Sequence, residues 1–395
     1  MKKRFSIGLV IALMLFASAL TWVVAAVSIG RPHGAMSDRS HLVRDYYALL
    51  NMFDELFIGD FDDEVIATAA MRAAVEALDD DWSFYMTAEE FAHSQENTRN
   101  RYEGIGITVV SDEHSGYILV VHIIADSPAE RAGFLIGDLI TKVDEDSVNG
   151  FTPTMLRDIL RRPIGDTAEV SIIRDGVAKE LTVDFGTVFI NPVSYIMLDA
   201  NVGLIRLANF NQGSARNFIS AANSLIELGA VGFVFDMRSN PGGLVAEMTE
   251  ILDFLLPAGE IFVAVDRNGD EVVTFSNAAF IDLPMVVLVD RFSFSGAEYF
   301  AALLREYDAA LVVGEQTTGK SRIQTIAMLP GGGAVNISFA EYLTKNRVSL
   351  HDEGGLTPDY IVLLSDEQQV AFFSGNLAFD DDPQLQMALD LLLQG

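Results

Sequence analysis

The chain has 395 residues, half of them hydrophobic and 10% aromatic, which is enough for two or three folded domains and too apolar for a disordered chain. Its 26 basic and 56 acidic residues give a net charge of −30, a field that repels phosphate backbones and argues against nucleic acid as a partner. Cysteine is absent, which excludes disulfides and thiolate metal sites, and none of the six histidines (His33, His41, His93, His114, His122, His351) pair at metal-ligand spacing; neither a metal nor a cofactor is expected.

Met1-Lys2-Lys3-Arg4 precedes an almost unbroken apolar run from Ile7 to Ile29. Basic residues ahead of such a run form an export signal. The run exceeds a signal core of about 7–15 residues, which favours an uncleaved membrane anchor, while Val24-Ala25-Ala26-Val27-Ser28 also offers a cleavage site. Residues 1–30 are therefore read as signal peptide or anchor, with Lys2, Lys3 and Arg4 inside and the rest extracytoplasmic, whether membrane-anchored or secreted.

Residues 38–100 read as a helical region. Tyr46, Leu49, Leu50, Phe53, Leu56 and Phe57 recur at helical spacing, and Ala67 to Leu78 forms a second periodic stretch. Asp79-Asp80-Asp81 reads as a solvated helix end, and Trp82, Phe84 and Tyr85 as an aromatic cluster of the core. Residues 102–186 change to short alternating strands (Gly104–Val110, Tyr117–Ile123, Leu139–Val143, Glu169–Ile173, Ala178–Phe185) interrupted by helical pieces at 127–132 and 153–161, the size of one small domain.

From 187 to 395 the pattern is strand–helix–strand. Strands are expected at 202–207, 231–236, 285–290, 311–314 and 334–339, with helices at 214–228, 244–256 and 297–307. This alternation implies α/β layering with sites at the carboxyl ends of strands. The apolar stretch Leu385 to Leu393 can serve a homodimer interface or pack on its own domain.

Two such strand ends carry Ser295 and Lys320, 25 residues apart. Serine is a weak nucleophile until a base takes its proton, and a desolvated lysine can be that base. Ser295 stands at a helix start, where free N–H groups suit an oxyanion; it can equally be an N-cap, and Ser293 competes for that role. Lys320, flanked by Gly319 and apolar Val312, Val313 and Ile323, can instead be a plain turn lysine. Alternation along an extended segment puts Gln324 on its face, within reach of the amine. Asn240-Pro241-Gly242-Gly243 follows another strand, so Gly242 or Gly243 can give one oxyanion donor and the Gly296 amide the other; a tight turn is the plainer alternative. Gly314 to Ser321 also matches the phosphate loop G-x-x-x-x-G-K-[ST], a remote nucleotide-binding alternative at 314–321, but Arg322 to Leu329 reads as strand where that loop needs a helix.

These residues together resemble the carboxyl-terminal processing proteases, tail-specific Ser-Lys peptidases of family S41 with an inserted PDZ domain. The matching pieces run in family order over roughly residues 40 to 390: Tyr102-Glu103-Gly104-Ile105-Gly106-Ile107, Ser127-Pro128-Ala129-Glu130-Arg131-Ala132-Gly133, Gly137-Asp138-Leu139-Ile140, Asp236-Met237-Arg238-Ser239-Asn240-Pro241-Gly242-Gly243, Phe294-Ser295-Gly296-Ala297-Glu298, Gly314-Glu315 with Gly319-Lys320 and Gln324, and Leu356-Thr357-Pro358-Asp359. The resemblance implies a multi-domain α/β protein: an N-terminal helical segment, a PDZ domain at 102–186, and a Ser-Lys protease core at 187–395 of the layered ClpP/crotonase type. It implies Ser295 as nucleophile, Lys320 as base, Gln324 as its orienting partner, and oxyanion amides at Gly242, Gly243 and Gly296. It further implies protein or peptide substrates with free, apolar C-termini, bound at Gly104, Ile105, Gly106 and Ile107. A catalytically silent PDZ adaptor is the alternative. The chain departs from the family at Gly296-Ala297, where alanine and serine are usual, and at Thr344-Lys345-Asn346-Arg347, where the usual turn is Thr-Pro-Ser-Gly.

Overall fold

The computed structural model describes residues 39–277 and 280–394; the apolar run at 7–29, and with it the expected signal or anchor, lies outside them. Among the described residues no helix is long and apolar enough to cross a membrane. The chain divides into two compact units, the first ending at Ala67. In the first, the helix Ser40–Leu56 buries none of its side chains.

The second unit holds two β-systems in its core and a separate sheet in its small domain. In the core, six strands run in the order Val193–Met197, Val202–Leu207, Gly232–Asp236, Met285–Val289, Ala310–Gly314, Tyr360–Ile361. The first pair is antiparallel and the rest parallel. Strict alternation sends Phe233, Phe235, Val287 and Val312 to one face, where the helices Ser214–Glu227, Val245–Leu255 and Gly296–Glu306 cover them. It sends Val202, Leu204, Val234, Val286, Leu288 and Val313 to the other, under the helix Pro383–Gln394. A sheet buried on both faces reads as continuous apolar runs, as these strands do. Leu385 and Ala388 are fully occupied there, so the C-terminal apolar stretch packs on its own sheet and leaves the homodimer suggestion without that support.

Beside this sheet lies a second, antiparallel one. Its long strand Ala334–Leu343 pairs with Phe84–Met86, Glu260–Asp266 and Arg322–Met328. The hairpin of Glu260–Asp266 with Glu271–Phe275 is an addition to the elements expected from sequence. The aromatic cluster at 82–85 is corrected here. Phe84 is exposed at the start of an edge strand and Trp82 is only half buried, because pairing with Ala334–Asn336 turns alternate residues outward. Asp80 is likewise no solvated helix end: it is held by Arg322 at 2.7 Å, with 8% of its side chain exposed. At the departure Thr344–Arg347, Arg347 takes the left-handed conformation (φ 64) that the usual glycine would adopt, anchored by Glu260 and Glu271.

The small domain forms its own six-stranded sheet, Ile107–Ser111, Ile118–Ile123, Leu139–Val143, Thr167–Arg174 and Val177–Asp184 in order, with Asp146–Ser147 on the edge. Ile118, Val120, Ile140, Val170 and Ile172 make its separate core. The helices Pro128–Ala132 and Pro153–Ile159 each start on a hydroxyl cap, Ser127 and Thr152, with proline in the first turn.

Candidate active site

The strand Met285–Val289 delivers the chain to a turn whose geometry is set by Asp290. Its carboxylate accepts from the Ser239 and Phe292 amides, both at 2.9 Å, and so ties the glycine turn to the serine turn. Ser293 is fully buried and its hydroxyl donates to the Met237 carbonyl at 2.8 Å, so it is a structural tie. Ser295 is half buried and is the N-cap residue of the helix Gly296–Glu306, with the Tyr342 hydroxyl beside its own. Its backbone (φ 57, ψ −121) lies where L-residues are strained by about 1–3 kcal/mol. Ser295→Gly should therefore unfold at higher urea than Ser295→Ala: glycine relieves that strain and loses only about 1 kcal/mol to added chain entropy.

The glycine turn presses against this serine. A Cβ on Gly242 would lie 2.7 Å from the Gly296 nitrogen and 2.8 Å from Ser295 Cβ, so only glycine fits. The Gly242 amide, however, already donates to Asn240 Oδ1 at 2.8 Å. The amides of Gly243 and Gly296 have no acceptor among the described residues. A Cβ at Gly296 would meet only ordinary contacts at 3.4–3.5 Å, so the departure from alanine there is sterically mild.

Ser295 and Lys320 meet on one buried carboxylate. Glu298 Oε2 accepts from the Ser295 and Lys320 amides, each at 2.9 Å, which brings the two backbone nitrogens within about 6 Å of each other. Its other oxygen accepts from the Gly319 amide and the Thr317 hydroxyl, each at 2.5 Å. Burial pushes the Glu298 carboxyl up, opposed by these four donors. The loop 317–320 thus spends its amides on Glu298, Ser293 and Leu356, and a strand follows it, so it offers no cradle for a phosphate.

The Lys320 amine is half buried. Its Nζ lies over the indole of Trp82, 4.5 Å from the centroid, and 5.8 Å from the Phe294 ring. Loss of hydration is the largest influence on it and brings its pKa down to about 8, against the upward pull of Asp80 and Glu298. No hydrogen bond joins Lys320 Nζ to Ser295 or to Gln324 among the described residues. Gln324 Nε2 donates instead to the Arg322 carbonyl at 2.9 Å and Ser338 Oγ at 3.1 Å. Three neighbours were not assigned to the site from sequence. Trp82 and Asp80 come from far upstream in the chain. The buried Tyr342 donates its hydroxyl to the Lys320 carbonyl and neighbours the Ser295 hydroxyl. Glu298 stands apart from these three, since it lies inside the matching segment Phe294–Glu298, three residues after Ser295.

Gly104, Ile105, Gly106 and Ile107 line a cavity of about 510 Å³ together with Leu156 and Leu160 of the small domain and, on the other wall, Glu89, His93 and Glu96 of the helix Ala88–Thr98. The Ile105 and Gly106 amides have no acceptor among the described residues, and φ is +88 at Gly106, where a Cβ would strike Ser127 at 2.4 Å.

A layered α/β core, a strained serine beside a desolvated lysine, and a small domain with an apolar groove define a serine-type endopeptidase with an appended peptide-binding module. Residues 201–362 match the model of peptidase family S41, and residues 104–185 match the PDZ domain. Carboxy-terminal processing protease CtpA of Bacillus subtilis is 31% identical over 361 residues, covering 89% of this chain and 75% of that protein. A carboxyl-terminal-processing protease of Synechocystis is 29% identical over 333 residues, covering 82% and 77%. A putative S41 protease structure from Bacteroides fragilis shares the fold, with a TM-score of 0.53 at 17% identity over 82% of this chain and 90% of that one. The chain belongs to peptidase family S41.

Proposed function

We propose that this peptidase cuts exported proteins near free, apolar C-termini, with Ser295 as nucleophile and Lys320 as general base. The observation that carries this reading is the shared grip of Glu298 Oε2 on the amides of Ser295 and Lys320. The neutral amine of Lys320 takes the Ser295 proton as Oγ attacks the scissile carbonyl. The Gly243 and Gly296 amides receive the oxyanion, the Lys320 ammonium protonates the leaving amine, and water then opens the acyl-enzyme. Gln324 braces the strand beside Lys320 through Nε2 and orients the amine through Oε1, the oxygen that can accept from an ammonium.

The groove takes the substrate tail as an added strand, with the Ile105 and Gly106 amides on its carboxylate and the apolar side chain between Ile105, Ile107 and Leu160. An extracytoplasmic location follows from the basic and apolar N-terminus.

The test is cleavage of one unfolded protein ending in an apolar residue, supplied with a free or an amidated terminus. Amidation should slow cleavage about tenfold or more, since a charge-assisted contact is lost, and Ser295→Ala should abolish it. Equal rates for the two termini would remove tail recognition. Cleavage by Ser295→Ala would remove the nucleophile, and tail binding by a wild-type chain that never cleaves would favour a silent adaptor.

A further inference from the structure

The amine of Lys320 rests on a ring whose position is fixed by residues outside the two catalytic loops. Trp82 belongs to a segment tied down on both sides. Arg322 Nη1 donates to Asp80 at 2.7 Å, the Ser338 amide donates to Ser83 Oγ at 3.0 Å, and Asn336 Nδ2 donates to the Trp82 carbonyl at 3.0 Å. The indole then lies against Phe294, 5.7 Å between centroids, the residue just before Ser295. One ring thus touches the neighbour of the nucleophile and the amine itself.

We propose that Trp82 is a positioning residue of the reaction: its indole holds the Lys320 amine at the serine loop and keeps water from it, so that the amine meets the Ser295 hydroxyl without a proton. This rests on the reading of Lys320 as base. Two effects of the ring oppose each other. A cation over an indole face is stabilised, while exclusion of water disfavours the ammonium. Exclusion of water prevails here, since burial is the largest influence on Lys320 and lowers its pKa from 10.5 to about 8. The other polar groups around the amine are Asp80 from the tied segment, with Arg322 paired to it, Glu298 from the helix, and Tyr342 from the strand Ala334–Leu343. On the far side of the loop, His351 Nδ1 contacts the Gly319 carbonyl. Both nearby carboxylates raise the lysine's proton affinity, so burial supplies the lowering, and of the two rings over the amine the Trp82 indole is the nearer, at 4.5 Å against 5.8 Å for Phe294.

The experiment is the pH profile of kcat/KM from pH 6 to 10 for wild type, Trp82→Ala, Trp82→Phe and Trp82→Leu, with an unfolded protein substrate. In wild type the rate should rise through a limb near pH 8. Trp82→Ala admits water, so its limb should move up by about one unit or more and its rate at pH 7.5 fall about tenfold, recovering at high pH. Trp82→Phe should stay near wild type, and Trp82→Leu, which excludes water but offers no ring face, should have its limb at or below the wild-type position. A limb in Trp82→Ala that does not move, or a loss equal at every pH, overturns the proposal. Should Trp82→Ala fail to fold, a limb in Trp82→Leu that rises overturns it instead. A wild-type profile with no limb in this range would strike Lys320 from the mechanism, and this inference with it. A wild-type limb that Trp82→Ala leaves in place defeats only the role of Trp82.

Discussion

With Lys320 as the proposed general base, Lys320→Met should lower peptidase activity by about 10³-fold, the middle of the range for a single general base, and leave the fold at least as stable as wild type at pH 7. Methionine fills the space beneath Trp82 with an apolar chain of similar length and has no proton to exchange. Lys320→Arg should be equally inactive, since a guanidinium stays charged at every working pH. The stability comparison has a definite sign. Lys320 titrates near 8 in the folded chain and at about 10.5 when solvated, so between those values the unfolded chain holds more protons. Wild-type stability relative to Lys320→Met therefore rises as pH goes from 8 to 10.5 and is lowest below 8, where the folded state must carry a desolvated ammonium. Activity follows the same titration. About a tenth of the amine is neutral at pH 7 and about nine-tenths at pH 9, so kcat/KM should climb about tenfold across that interval. Urea unfolding at several pH values and a kinetic profile check both; a Met variant that hydrolyses substrate at the wild-type rate would end the role of Lys320.

The parts of this molecule that were legible in the sequence share one property: their burial repeats locally. The runs at 231–236, 285–290 and 311–314 are apolar apart from glycine until they end, the first two at Asp236 and Asp290, because the parallel sheet is covered on both sides, so they read as strands without knowledge of their partners. Gly319 signalled close backbone approach, and a Cβ there would lie 2.8 Å from the Gly355 nitrogen. What was not legible depends on partners far away in the chain. Trp82 looked like core because aromatic residues usually are, and only the pairing of Phe84–Met86 with Ala334–Asn336 places its ring on an amine more than two hundred residues on. Asp80 looked solvated until Arg322 arrived. Gln324 was aimed at Lys320 by strand alternation and by the family resemblance, while its bond to Ser338 had no local signal. The irregular register between Ile323 and Gln324 sets Gln324 opposite Ser338, whose hydroxyl takes its amide. Capping preferences could not separate Ser293 from Ser295, since both precede the same helix; the separation comes from the Met237 carbonyl that claims Ser293.

Glu298→Gln should fold below about 20 °C yet lose far more activity than its folded fraction explains, about 10²-fold. Both carboxylate oxygens are spoken for: Oε2 holds the amides of Ser295 and Lys320, and Oε1 holds the Gly319 amide and Thr317 Oγ1. An amide keeps one oxygen and turns its NH2 toward the other pair, so two donors lose their acceptor and face hydrogens instead. Each buried donor left unpaired costs about 1–3 kcal/mol, which sets the expected destabilisation at about 2–6 kcal/mol. Glu298→Ala orphans all four and should exceed that. Glu298→Asp keeps the charge but is one methylene shorter, so it cannot span from the serine turn to the 317–320 loop, and it should resemble Gln in activity while binding only one of the two. The activity loss follows from position. The left-handed Ser295 backbone is held by the Oε2 bond to its own amide, and the lysine loop hangs on the same oxygen. Without that oxygen Ser295 relaxes toward ordinary helix-start geometry, and the separation of nucleophile and base grows by an amount that a pre-organised site does not tolerate. The measurement is the labelling rate of Ser295 by a fluorophosphonate, taken at a temperature where circular dichroism shows Glu298→Gln fully folded. Labelling at the wild-type rate would mean that Glu298 supports the fold alone and that the two catalytic loops find each other without it.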